Sequence, residues 1–349
     1  MKTKCSTLIL LLVQLAAAQR NFSVGTAAAT PGQKTTGYIE VPAGSDAGMH
    51  IPVVVVGGVR PGPTLAIVSG AHGTEYASII AVEKLIATLD PQQVSGTVIL
   101  VPLVNQASFE QKVPHLNPID GKSMNRYYPG NPSGTQTERA SLALTREVVE
   151  KCDHLIDLHG GDLDENLRPY SYWAPTGKAA QDRTSRDMAL AFGLDTIIIS
   201  RDRPTDINAS RYLETTASLR GKASITAEAG RSGRVDTDDL MRLVNGCLGV
   251  MRYLKMLPGS AQFVEHPVWI DHVESLTSEQ TGIFYPEVDR GVYVEKGAKV
   301  GYVTDYTGNT LLEAHAPASG VVLYVCSVPS MTKNATIANI GVIASAPPQ

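Results

Sequence analysis

The residues best equipped for chemistry lie in Gly70-Ala71-His72-Gly73-Thr74-Glu75-Tyr76, where a histidine and a glutamate stand three apart on a glycine-rich turn. An imidazole and a carboxylate at that spacing can face one metal ion if a third ligand arrives from elsewhere. His159 is the candidate, in Leu155-Ile156-Asp157-Leu158-His159-Gly160-Gly161, because it repeats the arrangement of apolar run, histidine and glycines. Two histidines, a glutamate and an open fourth position form the ligand set of catalytic rather than structural zinc. Either histidine alone reads equally as a hydrogen-bonded residue at a strand end, and the two matching turns together favour the shared site. Asp157, on the same strand face as His159, reads as its orienting partner or as a residue facing a core cation. Glu228 follows the apolar run 223–227 and is a third strand-end carboxylate. Taken alone, it reads as an ion-pair partner of Arg231 or Arg234.

These positions require strands that end together. Apolar and β-branched runs predict strands over residues 36–41, 51–56, 65–69, 97–103, 154–159, 196–200 and 223–227. Helical spacing of apolar residues predicts helices over 78–89, 138–150, 179–192, 209–219 and 238–257. Such alternation indicates an α/β sandwich on a mixed, mostly parallel sheet, whose carboxyl edge is where ligands bind. Residues 19–35 read as a loose leader to the first strand. Residues 105–134 read as a long irregular loop, carrying Asn125 and Arg126, and loops of that length are usually functional. Beyond Pro258 the chain holds short β runs and no convincing helix. Two domains are therefore expected, an α/β domain at 19–258 and a small all-β domain at 259–349.

Composition narrows the function. The 349 residues carry a net charge of −4 with 18% charged residues, and no basic patch argues for nucleic acid. Lys2 and Lys4, the apolar run 8–15 and Ala16-Ala17-Ala18 have the pattern of a signal peptide cleaved after Ala18. That run is too short to span a bilayer, and no later stretch is long and apolar enough. A secreted or periplasmic protein with no membrane partner is expected. Cys152, Cys247 and Cys326 then remain, enough for one disulfide at most.

Four segments taken together resemble the succinylglutamate desuccinylase/aspartoacylase family of the zinc-carboxypeptidase-like superfamily. They are Gly-Ala-His72-Gly-Thr-Glu75, Met124-Asn125-Arg126-Tyr127-Tyr128-Pro129-Gly130, Asp157-Leu-His159-Gly and Thr226-Ala-Glu228-Ala-Gly230, in the family's order. The resemblance implies a zinc-carboxypeptidase-like α/β/α sandwich followed by a C-terminal β domain similar to a barrel-sandwich. It implies one zinc ion on His72, Glu75 and His159, with Glu228 as general base and then acid. Asn125 and Arg126 would grip a small N-acyl substrate whose amide is hydrolysed, Arg126 also serving a developing oxyanion. The family often has a further arginine about ten residues before the Asn-Arg pair, and here His115 stands there. Histidine lacks the permanent, bidentate charge of arginine. Arg168 is a candidate replacement or an ordinary surface arginine, and Tyr170 and Tyr172 are pocket or core residues. The leading expectation is an exported zinc-dependent deacylase. The alternatives are a secreted metallocarboxypeptidase acting on peptides or peptidoglycan fragments, and a binding module on a hydrolase scaffold. Oligomeric state is left open, a homo-oligomer included.

Overall fold

The computed structural model describes residues 21–346 and 348, so the signal peptide read at 1–18 lies outside the described residues. The chain opens with a hairpin of β1 (Phe22–Val24) and β2 (Ala27–Ala29), then β3 (Gln33–Val41), β4 (Met49–Gly57) and β5 (Arg60–Ser69). Helix α1 (Tyr76–Thr88) leads to β6 (Ser95–Val101), α2 (Gln106–Gln111), α3 (Gln136–Leu144) and β7 (His154–His159). Next come β8 (Glu165–Trp173), α4 (Ala179–Phe192), β9 (Thr196–Ile199), α5 (Leu213–Leu219), β10 (Ala223–Arg231) and α6 (Thr237–Tyr253). The remainder is β11 (Val268–Thr277), β12 (Gly282–Pro286), β13 (Tyr293–Val294), β14 (Lys299–Thr304), β15 (Thr310–His315), β16 (Gly320–Cys326), β17 (Ser330–Met331) and β18 (Thr336–Ile343).

Twelve strands form one sheet in the order β13-β16-β18-β11-β9-β8-β10-β7-β5-β6-β4-β3. Its central strands are apolar on both faces, as burial between two helical layers demands. In β4, Val54 and Val56 enter one core while Val53 and Val55 enter the other. The first core packs α1, α4 and α6 through Leu85, Phe192, Leu243, Cys247 and Val250. The second packs α3 and α5 through Leu144, Leu213 and Ala217. Each large aliphatic side chain buried this way contributes about 1.5–3 kcal/mol. Helix α3 begins where the Glu138 carboxylate accepts the Thr135 backbone N–H at 2.9 Å, half of the capping pattern that starts a helix.

Several expectations need correction. The sheet is mixed, as expected, but not mostly parallel: parallel pairings join β6-β5-β7-β10 and β8-β9-β11, and the others are antiparallel. The supposed loose leader holds β1, β2 and the start of β3, whose small residues Ala27 and Ala29 are buried but carry little strand signal. Strand β8 carries no strand signal in the sequence, because Arg168-Pro169 interrupts its apolar pattern. Helix α5 starts at Leu213, since Arg211 takes a left-handed φ of 66° that a helix cannot include. Helix α3 passes into a π turn over Thr145–Val149. The three cysteines are buried free thiols.

Beyond Pro258 the chain does two things. Strands β15-β14-β12-β17 form a separate four-stranded sheet around Phe284, Val300 and Val303. Strands β11, β13, β16 and β18 instead extend the main sheet, and β16 also pairs with β8. The strands β8, β9, β11, β18 and β16 thereby close a ring, with Leu167, Ile198, Ile270 and Leu323 packed together. No helix among the described residues is long and apolar enough to cross a membrane.

Candidate active site

Period-two alternation along two parallel neighbours puts the chemistry on one face of the sheet. In β7, Ile156 and Leu158 enter the first core, which leaves Asp157 and His159 on the opposite face. In β10, Ile225 and Ala227 do the same, leaving Thr226 and Glu228. The register sets Glu228 beside His159 across the β10–β7 pairing. His72 and Glu75 join them from the turn between β5 and α1. That turn is held from behind by α2: the Asn105 amide donates to the Ala71 carbonyl at 3.3 Å, and the Gly73 N–H donates to Ser108 Oγ at 2.8 Å.

The three ligand candidates meet. His72 Nδ1 lies 2.6 Å from Glu75 Oε1 and His159 Nδ1 lies 2.9 Å from Glu75 Oε2. Glu75 Oε2 also accepts the Gly160 N–H at 3.1 Å. All three donor atoms fall within 4.8 Å of one another. Burial would raise the Glu75 carboxyl, but the charges of His159 and His72 outweigh it and hold Glu75 at about 2.

The imidazoles are also backed as ligands require. His72 Nε2 faces Ser123 Oγ at 3.3 Å, and His159 Nε2 faces Asp157 Oδ1 at 3.4 Å and the Asn125 amide at 2.9 Å. With Nδ1 given to a metal, Nε2 carries the proton and needs an acceptor. The Asn125 orientation that turns Oδ1 toward Nε2 provides one, and satisfies an oxygen that is otherwise buried without a partner. The donor set therefore fits a metal ion.

A cavity of about 640 Å³ opens over this centre, lined by the triad, Asn125, Arg126 and Glu228, and by Glu165, Tyr170, Tyr172, Arg203 and Tyr212. Glu228 is enclosed by protein yet open to the cavity. Burial raises its carboxyl to about 7, opposed by the His159 charge, reinforced by Glu75 and opposed again by the Tyr170 hydroxyl, which donates to Oε2 at 3.1 Å. A carboxyl poised there can take and return a proton near neutrality. Burial and the Glu75 charge push Glu165, which accepts the Asp162 N–H at 3.0 Å, up to about 8.

Two of the residues singled out from the sequence do not line the cavity, although the His115 ring lies edge-on to that of His72, 6.2 Å away. His115 does not line the cavity: its Nε2 lies 2.9 Å from Asp164 Oδ1, and its backbone N–H donates to Asp162 at 2.9 Å. Burial lowers its pKa, but Asp164 and Asp162 win and raise it to about 9, so it is a cation pinning the 162–164 loop. Arg168 pairs with Asp195 at 3.0 Å and donates to Thr196 Oγ1 at 2.8 Å, again away from the cavity. Sequence reading missed Glu165, Arg203 and Tyr212. The one available signal was the irregular segment 200–212 after β9, which a helix expected from 209 made look shorter than it is.

Taken together, fold and site define an α/β protein with a two-histidine, one-carboxylate centre and a separate buried carboxylate facing it. A model of the succinylglutamate desuccinylase/aspartoacylase catalytic domain matches residues 61–254, and the chain belongs to this family. The N-alpha-acetyl-L-2,4-diaminobutyric acid deacetylase of Halomonas elongata is 29% identical over 296 residues, covering 82% of this chain and 85% of that protein. The product-bound ectoine utilization protein of Ruegeria pomeroyi superposes with a TM-score of 0.79 at 25% identity, covering 88% of this chain and 95% of that one. The succinylglutamate desuccinylase/aspartoacylase of Rhodobacter sphaeroides, at 23% identity, has a TM-score of 0.79 over 90% and 96% of the two chains and speaks for the fold alone.

Proposed function

We propose that this protein is an exported zinc-dependent amidohydrolase that removes the acyl group from a small N-acyl amino acid or related N-acyl amine. The observation that carries the reading is the meeting of His72, Glu75 and His159 in one cavity with Glu228, a carboxyl poised at about 7. When bound, zinc supplies a water acidified to near neutrality and polarisation of the scissile carbonyl. His72, Glu75 and His159 would hold it, with Ser123, Asp157 and Asn125 fixing the rings. Glu228 takes the proton of the attacking water and returns it to the leaving nitrogen. Arg126, whose guanidinium lies 5.2 Å from the Tyr212 ring, offers positive charge to the oxygen that becomes negative. The acetyl-diaminobutyrate deacetylase relative supports an N-acyl amino acid substrate. A cavity of about 640 Å³ is large enough to take such a molecule. The carboxypeptidase-like reading of the sandwich, the barrel-sandwich reading of the C-terminal strands and export through the leader at 1–18 belong to the same proposal.

One preparation tests it. Made with its own leader in a secreting host, the exported protein should begin at Gln19 by intact mass and carry one zinc by elemental analysis. It should release free amine from a panel of N-acyl amino acids. Glu228→Gln should keep the zinc and lose at least about 1000-fold in kcat, in line with loss of a general base. Turnover of dipeptides alone, or zinc content unchanged in His72→Ala, would refute the reading.

A further inference from the structure

Glu165, Leu167, Tyr170 and Tyr172 of β8 all line the cavity. A regular strand cannot do this, because its side chains alternate between faces and residues 167 and 170 differ in phase. Pairing with β10 shows where the phase changes. Glu228 stands opposite Tyr170 but Gly230 stands opposite Leu167, so that Ala229 faces both Arg168 and Pro169. This is a bulge, and Pro169, with no N–H for the ladder, sits where a strand tolerates it. Burial agrees: Leu167 and Tyr170 pack in one cluster, whereas Trp173 enters the first core. Moving the bulge by one residue would turn Tyr170 away from Glu228 or Leu167 out of the wall.

The bulge is held from outside its two strands. The turn between β12 and β13 carries Arg290, whose Nη1 donates to the Leu167 carbonyl at 2.6 Å and to the Gly230 carbonyl at 3.3 Å. Its Nη2 donates at 2.9 Å to Asp239 Oδ2 in the first turn of α6, a carboxylate side chain only 3% exposed. Beside it, Asp289 Oδ1 accepts the Asn166 amide at 2.6 Å and the Arg290 N–H at 2.8 Å. One guanidinium thus ties the Leu167–Gly230 pair, on one side of the bulge, to α6. The pair on the other side is Tyr170–Glu228, joined by the 3.1 Å hydrogen bond at the proton carrier. A planar fork with its prongs on three acceptors fixes direction as well as distance, which a single ammonium does not.

We infer that Arg290 is a positioning residue: by gripping the Leu167 and Gly230 carbonyls it locks the 168–169 bulge in the register that sets Tyr170 against Glu228. It touches neither the cavity nor the triad and acts through the backbone of β8 and β10. The C-terminal strands then do more than wall the cavity, since their turn fixes the partner of the proton carrier. The effect on turnover rests on the amide-hydrolase reading of the site, whereas the locking of the bulge does not depend on turnover.

The test uses the full chain, zinc-loaded, with two replacements. Arg290→Met combined with Asp239→Asn removes the clamp without leaving a buried carboxylate unpaired. Arg290→Lys keeps a cation for Asp239 but loses the fork, and it decides the matter should the combined variant not fold. Hydrogen exchange read by mass spectrometry should quicken at least about tenfold over residues 165–172 and 226–231 in the combined variant and less in Arg290→Lys, with β4 and β6 unchanged. In amine release from N-acyl amino acids, kcat should fall about tenfold in the combined variant, the worth of a hydrogen bond to a charged group, and Arg290→Lys should recover part of it. Tyr170→Phe should cost as much. Because both changes remove the same contact, adding Tyr170→Phe to the combined variant should cost less than about twofold more, whereas independent losses multiply. Wild-type exchange over 165–172 in both variants, or losses that multiply in full, overturns the inference. If no protein, wild type included, releases amine, the deacylase proposal alone falls, and the exchange rates still decide whether Arg290 locks the bulge.

Discussion

At the scale of single residues, the proton inventory of Glu228 sets the pH behaviour. As a base it works only when ionised, and burial holds its carboxyl up at about 7. Below that value the protonated form accumulates, so kcat/KM should fall about tenfold per pH unit on the acid side. A cation on His72, Glu75 and His159 favours the carboxylate and moves this limb to lower pH. The Tyr170 hydroxyl also favours the carboxylate, so Tyr170→Phe should move the limb to higher pH. A pH–rate profile of both proteins checks this, and an unshifted limb would remove Tyr170 from the proton path. His72 and His159 were legible because each follows an apolar run and precedes a glycine, Glu75 because it stands three residues after His72 on the same turn, and Glu228 only through the family resemblance. Arg203 and Glu165 were not, because their place in the cavity wall is set by strand pairing and by the segment after β9, which exist only once the chain is folded.

At the scale of elements, the metal turn depends on how closely backbone packs on backbone. A Cβ added at Gly73 would lie 2.2 Å from the Phe109 nitrogen and 2.7 Å from the Asn105 carbonyl oxygen. Neither backbone atom can swing aside as a flexible side chain would, so Gly73→Ala must displace the turn that carries His72 and Glu75. The cost should fall on the site rather than on the core. Zinc affinity is expected to drop about 10- to 100-fold, the range seen when the support of metal ligands is disturbed. Competition titration against a chelator measures it, with circular dichroism showing the secondary structure kept; unchanged affinity would mean that the turn tolerates movement. Helix α2, against which Gly73 packs, lay in a segment read as irregular, its six residues being too few to show a helical period. Strand β8 was hidden by Pro169. Strands β4 and β7 were plain, because burial on both faces writes them as unbroken apolar runs.

At the scale of the whole molecule, the boundary read at Pro258 is where local signals run out. Periodicity shows that a segment is a strand but not which sheet it joins, because pairing partners lie far away in sequence. Residues beyond 258 supply β11, β16 and β18, which close the ring through β8 and β9. They also bring Asp271, His272, Tyr324 and Asn339 to the cavity wall. A chain ending at 258 would leave β9 with an unpaired edge and expose Leu167 and Ile198, which are otherwise buried against Ile270 and Leu323. Exposed edges and apolar side chains of that kind promote association. Truncation after Pro258 is therefore expected to yield aggregated or partly folded protein with no turnover, judged by size-exclusion chromatography and near-ultraviolet circular dichroism. A soluble, monodisperse fragment with its zinc would instead make residues 19–258 an autonomous domain.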